Sequence, residues 1–346
     1  MAARERLPRY LRVTGLIRTA VLAGTFGDRL PPENELALKY RISRMTLRRA
    51  VAALAEEGLL ESRHGAGTFV RAGASQARTV ALLVAPDMAI HHEDMFHQQL
   101  VLSLMYGCAG RGWMLRIAPS AADLGARLGA GRGAAVSGCI AIAFGNENQH
   151  LLDAIPVPII SVDGESLAGA SSVLPDNLGG TADAVARLVA LGHRRIAHLA
   201  GSAGKLAGRE RRDAYLAAMA RAGLAVEDGS VIQGSFRVED GYAAMQRWWL
   251  QPVRPTAVFC ANDMMAIGAA RWAAEHGVRV GYDVSIIGCD GLLVSSLIWP
   301  SLSTLALDFA AHAANVLDAV ADDERGGIRR TPLRLVERDS TGPPRQ

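Results

Sequence analysis

The sequence of 346 residues has few cysteines, lysines and aromatic residues, and it has no long hydrophobic run. The four cysteines lie far apart without a CxxC pair, so we predict reduced core thiols and no disulfide framework. No apolar stretch approaches the roughly 18 residues that a membrane span needs. The N-terminus has arginines but lacks the apolar core of a signal peptide. We therefore expect a cytoplasmic protein without a membrane partner.

Motifs typical of catalysis or cofactor binding are also missing. The sequence has no GxSxG motif, and residues 200–206, AGSAGKL, lack the first glycine and the final Ser or Thr of a phosphate loop. The glycines of residues 129–133 do not open a helix directly after a strand, as a dinucleotide-binding turn requires. We predict no catalytic residues, no cofactor and no metal ion.

Positive charge is concentrated near the N-terminus. Residues 1–78 contain 14 Lys and Arg against 7 Asp and Glu, which leaves 23 against 27 for the rest of the chain. The first region therefore has a net charge of +7 and the remainder a net charge of −4. Such a basic segment is typical of a domain that contacts nucleic acid.

Residues 30–70 have the pattern of two short helices followed by a glycine-rich β-hairpin. Glu33 begins the first helix after two prolines, and Ser43 can cap the second helix. A 3.6-residue period divides the second helix into two faces. The apolar face contains Leu47, Ala50, Val51 and Leu54, and the opposite face contains Met45, Arg48, Arg49 and Ala52.

The exposed face of the second helix suits the major groove of DNA. Arginine can bond guanine or phosphate, and Ser43 and Thr46 can bond phosphate at the helix N-terminus. The hairpin would add Arg63 and His64 at a wing. Either element alone could be an ordinary amphipathic helix or hairpin, but their order and spacing favour a winged helix-turn-helix.

Residues 9–70 resemble the DNA-binding domain of the gluconate-repressor (GntR) family through GDRLPPENELA, ISRMTLRRAV and EEGLLESRHGAGTFV. Met45 departs from the family, which usually has threonine there, so we expect Met45 to contact a thymine methyl group instead. The resemblance implies DNA contacts by Asn34, Ser43, Arg44, Thr46, Arg48, His64 and Gly65.

After residue 78, apolar strands alternate with amphipathic helices as far as residue 341. This alternation predicts an α/β fold with parallel sheets covered by helices on both faces. The expected organisation is a winged helix-turn-helix domain at 1–70, a polar linker at 71–78, a large α/β domain at 79–341, and a tail at 342–346.

A polar segment, HHEDMFH at residues 91–97, follows the first strand of the large domain. Glu93 and His97 would be four residues apart on a helix, so a metal site is one interpretation. The interpretation that we favour is a polar loop at the ligand-binding edge of the sheet. There its polar side chains contact a ligand or face water, and His91 and His92 are the candidate effector contacts among them.

Residues 79–341 resemble the effector domain of the lactose/galactose-repressor (LacI/GalR) family through VPIISVDG, SSVLPDNLGG, LGHRRIAHLAG and DVSIIGCDG. The resemblance implies a fold like that of type I periplasmic binding proteins, with two lobes joined by three crossovers. Lobe one is expected at about 79–174 plus 304–324, and lobe two at about 175–303 plus 325–341. The combination with a GntR-type head is similar to the arabinose-responsive repressors of bacteria.

The same resemblance implies effector contacts by Arg211, Asp290, Asn262, Asp163 and Phe236. Such a set suits a sugar, since an aromatic ring covers a C–H face while charged and amide groups bond hydroxyls. Taken singly, the asparagine and aspartate could cap helices, the ring could be core, and the arginine could be solvated. The family arginine could also be Arg212, since RRDAY replaces the usual RLAGY.

We predict a repressor that binds a roughly palindromic operator as a homodimer and is released by a sugar or sugar-derived effector. Lobe closure would be coupled to DNA affinity by about 1 to 3 kcal/mol. One alternative is a regulator whose DNA binding is strengthened by a purine or another metabolite. A second alternative is a sugar-binding or sugar-transforming protein.

Overall fold

The computed structural model describes residues 9–22, 25–56, 58–63, 67–70, 78–86, 94–129 and 136–345. Four predicted contact residues, His64, Gly65, His91 and His92, lie outside the described residues, as does most of the expected linker. Among the described residues, no helix combines the length and apolarity needed to cross a bilayer.

The described part of the N-terminal domain has three helices and an antiparallel hairpin, of which the sequence predicted the second helix, the third helix and the hairpin. The helices are α1 (Arg9–Leu22), α2 (Glu33–Tyr40) and α3 (Arg44–Glu56), and the strands are β1 (Leu60–Arg63) and β2 (Gly67–Val70). The amide of Thr46 donates to Ser43 Oγ over 3.2 Å, which is the expected cap of α3. Leu47, Ala50 and Leu54 of α3 are buried in the domain core, and Met45 is exposed.

The described residues of the effector domain form two six-stranded sheets. The first sheet is entirely parallel, and its strands in spatial order are β4 (Met114–Ile117), β3 (Thr79–Val84), β5 (Val136–Ile142), β6 (Ile159–Val162), β7 (Ser171–Pro175) and β13 (Ile328–Thr331). In the second sheet only the last strand is antiparallel, and the order is β9 (Val231–Gln233), β8 (Ile196–Ala200), β10 (Ala257–Cys260), β11 (Ser285–Asp290), β12 (Ser303–Leu307) and β14 (Leu333–Val336).

Helices cover both sheets, because strands that are buried on both faces need apolar partners on each side. Lobe one has α4 (Met95–Gly110), α5 (Ala121–Gly129) and α10 (Phe309–Ala321). Lobe two has α6 (Asn177–Ala190), α7 (Leu206–Arg221), α8 (Val238–Trp249) and α9 (Asp263–Glu275). The predicted α/β architecture with two parallel sheets is confirmed.

The chain passes between the lobes at three points, and at each point one residue separates an element of one lobe from an element of the other. These residues are Asp176, Asp308 and Pro332. Asp176 and Asp308 also cap the helices that follow, because their carboxylates accept the amides of Gly179 and Ala311.

Two of these crossovers differ from the predicted boundaries. The strand at 303–307 pairs in register with β11, from Ile287 opposite Ser303, and so belongs to lobe two. The strand at 328–331 pairs with β7 and belongs to lobe one. In the structure, lobe one therefore comprises the described residues of 78–175 and 309–331, and lobe two comprises 177–307 and 333–341. The predicted tail packs on lobe two, where Arg345 contacts Asp283.

Helices α8 and α9 approach each other closely because each has a glycine at the contact. A Cβ atom on Gly268 would collide with the carbonyl oxygen of Val238, and one on Gly241 would collide with that of Met265. This contact holds the N-termini of both helices, which lie beside the cavity described below.

We expect Gly268→Ala to lower the free energy of unfolding by about 1 to 3 kcal/mol, because the added methyl group must separate two packed backbones. Urea denaturation measures the loss. Gly110→Ala is the matched control, since a Cβ there meets no atom within 4 Å. Equal unfolding midpoints for the two variants would contradict the close contact.

Candidate functional site

A cavity of about 540 Å³ lies at the carboxyl ends of the strands of both lobes. This is the edge at which open parallel sheets bind ligands. Loops that follow successive strands supply its walls. The lining residues are Asp94, Met95, Phe96, His97, Ala143 and Asp163 from lobe one, and Lys205, Ala207, Arg211, Ser235, Phe236, Arg237, Val238, Glu239, Asn262, Met264, Asp290 and Leu292 from lobe two.

All five effector contacts that the family resemblance implied line this cavity: Arg211, Asp290, Asn262, Asp163 and Phe236. The two other predicted contacts, His91 and His92, lie outside the described residues. The structure also distinguishes the two candidate arginines. Arg211 is 3% exposed and lines the cavity, whereas the Arg212 side chain is 39% exposed and pairs with its neighbour Asp213. The geometry therefore places Arg211, and not Arg212, in the cavity.

The Arg211 guanidinium is fixed by three groups of lobe two. Its Nε donates to Asn177 Oδ1 over 2.8 Å, and its Nη1 donates to the carbonyl oxygen of Ala261. The same nitrogen lies 3.6 Å from Asp290 Oδ1. A buried charge needs such partners, and they hold the guanidinium in one orientation.

Asp290 ends strand β11 with a φ of 125° and a buried carboxylate. Burial raises the pKa of Asp290 well above its usual range, and the charge of Arg211 opposes that shift. The turn after Asp290 is held by Asp263, whose carboxylate accepts a hydrogen bond from the amide of Leu292 over 2.8 Å. Burial raises the pKa of Asp263 to about 7, although its hydrogen bond from Thr304 opposes the change.

Asn262 has two roles in the structure. Its Oδ1 accepts the amide of Met265 and so caps α9, which was the alternative interpretation from the sequence. Its Nδ2 donates to the carbonyl oxygen of Phe236 over 3.0 Å, and this bond holds the loop that carries the aromatic ring. Asn262 therefore joins a helix start to the cavity wall.

Backbone strain is concentrated at the cavity. Among the described residues, six non-glycine residues have positive φ, and four of them line the cavity: Ala143, Asp163, Phe236 and Asp290. Left-handed conformations of such residues cost of order 1 to 3 kcal/mol each and cluster at functional sites.

His97, a polar residue of the HHEDMFH segment, lines the cavity. Its Nε2 lies 2.9 Å from Asp163 Oδ2, and its Nδ1 lies 2.8 Å from Asp94 Oδ2. Burial disfavours the charged ring, but the hydrogen bonds to Asp163 and Asp94 outweigh it and raise the pKa of His97 to about 9. The histidine is therefore a cation between two carboxylates at neutral pH.

The HHEDMFH segment contains part of the signal for this arrangement. Asp94 caps α4 by accepting the amide of His97, so the two side chains meet three residues apart. Their contact with Asp163 joins residues 66 positions apart and depends on the sheet. Among the described residues, no cluster of His, Cys, Asp and Glu could hold a metal ion.

Phe96 and Lys205 also line the cavity without having been predicted. The Phe96 ring packs edge-on against His97, with centroids 5.1 Å apart, and against Phe309. Phe96 from lobe one and Phe236 from lobe two thus supply aromatic surface from both sides of the cavity.

The predicted DNA-contacting residues lie on the exposed side of the N-terminal domain. Asn34 is the second residue of α2, and Arg44, Met45, Arg48 and Arg49 are exposed along α3. Thr46 is half-buried, and its hydroxyl lies 2.9 Å from that of Ser43 at the start of the helix. Arg63 is exposed at the end of β1.

The arginines of this face make contacts in the absence of DNA. Arg48 Nε lies 3.1 Å from both carboxylate oxygens of Glu33. Arg49 stacks over the Tyr10 ring at 4.1 Å, and Arg63 lies over the Phe69 ring at 4.9 Å. Aromatic contacts restrict a guanidinium without neutralising its charge.

Comparison with known proteins identifies both domains. Residues 9–70 match the gntR family of bacterial regulatory proteins, and residues 185–341 match the periplasmic binding protein-like domain. The ribose operon repressor of Escherichia coli strain K12 is 29% identical over 310 residues, which cover 84% of this chain and 91% of the repressor.

Two further relatives cover different parts of the chain. The transcriptional repressor PurR of Haemophilus influenzae strain PittEE is 34% identical over 164 residues, 46% of this chain and 49% of PurR. The structure of the transcriptional regulator CelR in complex with cellobiose aligns with a TM-score of 0.65 and 25% identity, covering 94% of this chain and 99% of CelR.

We expect the folded protein to lose stability as the pH rises through about 9, because the pKa of His97 is higher in the folded state than its usual 6.5. Its contribution, about 1 to 3 kcal/mol, is complete below pH 6.5 and absent well above pH 9. Urea denaturation from pH 6 to pH 10 measures the change, and the difference between wild type and His97→Asn isolates this histidine. A difference that does not vary with pH would contradict the charged bridge.

Proposed function

We propose that a sugar or sugar-derived effector releases this protein from its operator. The chain joins a gntR-family DNA-binding domain to a periplasmic-binding-protein-like effector domain. It is homologous to LacI-family repressors such as the ribose operon repressor. The regulated genes would be those of carbohydrate metabolism. Since its homologues are repressors, we infer that the protein catalyses no reaction. As a regulator of bacterial genes it would act in the cytoplasm, where the operator lies.

One observation carries the proposal: a cavity between two lobes, lined by fixed hydrogen-bonding groups and two aromatic rings, in a chain that also carries a DNA-binding domain. We propose that Arg211, Asp290, Asn262, Asp163 and Phe236 contact the effector. His91 and His92 remain predicted contacts on the strength of the sequence.

The charges of the cavity favour a neutral effector. His97 lies between two carboxylates, Arg211 lies beside Asp290, and Arg237 pairs with Glu239 over 3.3 Å. Cations that are already paired offer little net attraction to an anionic group, whereas a hydroxyl can bond a carboxylate and a guanidinium together. The name of the ribose operon repressor and the cellobiose bound to CelR also support a sugar.

A purine or other metabolite that strengthens operator binding is the second candidate. The similarity to PurR favours it, and so do Phe96 and Phe236, because flat rings suit a planar base. The sign of the effect on operator binding separates the two candidates.

For the operator, we propose contacts by Asn34, Ser43, Arg44, Met45, Thr46, Arg48, Arg49 and Arg63, together with His64 and Gly65 of the wing. Arg48 would have to give up its ion pair with Glu33 to contact DNA, and this loss reduces the binding free energy that the new contact supplies. Met45, 74% exposed on the same helix, would supply an apolar contact to a thymine methyl group.

We propose that two copies bind a roughly palindromic operator through a dimer of effector domains, because a single winged domain makes few base contacts. Exposed apolar side chains support this assembly. On lobe one they include Leu102, Met105, Tyr106, Met114 and Ile117, and on lobe two they include Leu293, Leu297 and Trp299. Large exposed apolar groups of this kind mark interaction surfaces.

The function is tested with an operator fragment that the wild-type protein selects from genomic DNA. Wild type should bind it as two chains per duplex and be released by D-ribose or cellobiose but not by hypoxanthine. Asp290→Asn should bind the fragment with unchanged affinity but lose the response, because the altered side chain lies in the cavity and far along the chain from the DNA-binding domain. Fluorescence anisotropy measures both quantities.

Arg212→Gln is the matched control, since this exposed arginine adjoins Arg211 outside the cavity. It should respond like wild type. Survival of the response in Asp290→Asn would mean that the effector binds elsewhere. A compound that tightens operator binding would favour the purine-type alternative.

Arg48→Ala should weaken operator binding by about 1 to 3 kcal/mol if Arg48 reads a base, with a smaller loss on random-sequence DNA. The same anisotropy titration at fixed salt measures both losses. Arg212→Ala removes one exposed positive charge from the effector domain and should change neither affinity. Equal losses on both DNAs would identify a phosphate contact instead.

A further inference from the structure

An ion pair crosses from lobe two to lobe one beside the cavity. Arg209, in the first turn of α7, contacts the carboxylate of Glu165 through its Nη2. Glu165 follows β6 of lobe one, so the pair joins the two lobes. It is partly shielded from water, since the two side chains are 36% and 17% exposed.

Both ends of the pair are anchored within their own lobes. The backbone amide of Glu165 donates to the carbonyl oxygen of Phe144 over 2.9 Å, and its carbonyl oxygen accepts the hydroxyl of Ser161. Arg209 Nη1 donates to the carbonyl oxygen of Ala203 over 3.1 Å. The pair therefore depends on the distance between the loop that carries Glu165 and the first turn of α7.

The residues of the pair alternate along the chain with residues of the cavity. Glu165 lies two residues after Asp163, and Arg209 lies two residues from both Ala207 and Arg211. A movement that separates the cavity walls must therefore also separate Arg209 from Glu165.

A neighbouring ion pair connects the lobes in a different place. Glu210 binds Arg330 over 2.6 Å, and Arg330 lies two residues before the crossover at Pro332. A contact beside a crossover changes little when two lobes rotate about that point. The contact of Arg209 with Glu165 is made by a helix turn and a loop, neither of which is a crossover.

We propose that Arg209 and Glu165 form a latch that holds the lobes closed and thereby sets the sensitivity of the protein to its effector. The effector must bind a closed cavity to contact both lobes, and the latch lowers the free energy of that closed state. This inference rests on the proposed function, because it assigns the pair a role at the same effector site.

Removing either charge should weaken effector binding without changing a group that touches the effector. We expect Arg209→Gln and Glu165→Gln each to raise the Kd for effector by about 3- to 10-fold, a range suited to a partly shielded ion pair. The charge exchange Arg209→Glu with Glu165→Arg should recover most of the loss. Isothermal titration of the full chain with D-ribose, and then with cellobiose, measures the Kd.

Arg187→Gln is the matched control, because Arg187 pairs with Glu337 over 2.7 Å within lobe two. Its Kd should equal that of wild type. The latch is refuted if wild type binds a sugar and the two latch variants bind it with the same Kd as wild type. It is also refuted if the charge-exchange variant loses as much affinity as the two single variants together. In both cases the proposed function stands.

If wild type binds neither sugar, the proposed sugar effector fails and the latch is judged by small-angle X-ray scattering of the free protein. Arg209→Gln should then have a larger radius of gyration than wild type and Arg187→Gln. An unchanged radius would overturn the latch.

Discussion

The buried guanidinium of Arg211 is the interaction on which the effector site depends. It contacts Asp290 at the end of β11, the carbonyl of Ala261 at the end of β10 and Asn177 at the start of α6. A buried charge without partners is costly, so these three elements keep their positions only together. Asn177 also donates to Glu210, which binds Arg330 of lobe one. One buried cation is thereby connected to the structure of both lobes.

The fold was predictable because its signals are local. Alternation of apolar strands and amphipathic helices predicted the parallel sheets, the family resemblance implied their division into two lobes, and the serine before α3 predicted the start of the recognition helix. The lobe boundaries were harder to predict. The strands at 303–307 and 328–331 are ordinary apolar or mixed segments, and only their hydrogen-bonded neighbours decide which sheet they join. Pairing between distant segments leaves no periodic mark in the sequence.

The residues of the cavity also differ in how well they could be predicted from the sequence. Arg211, Asp290, Asn262, Asp163 and Phe236 were recognised through motifs that surround them, and all of them line it. His97 was recognised only as a member of a polar segment, and its pairing with Asp163 was not predicted because the two residues meet only in the folded sheet. The positive φ angles of Asp163, Phe236 and Asp290 could not be predicted either, since the residue that usually indicates such a conformation is glycine.

The single-residue crossovers at Asp176, Asp308 and Pro332 mean that neither lobe is a continuous piece of chain. A fragment ending near residue 307 would leave lobe one without α10 and β13, and lobe two without β14. Such a fragment would expose the buried strands Ser171–Pro175 and Ser303–Leu307 as open sheet edges, which invite aggregation. The two lobes therefore have to be expressed, folded and degraded as one unit, and an isolated lobe would need a circularly permuted or spliced gene.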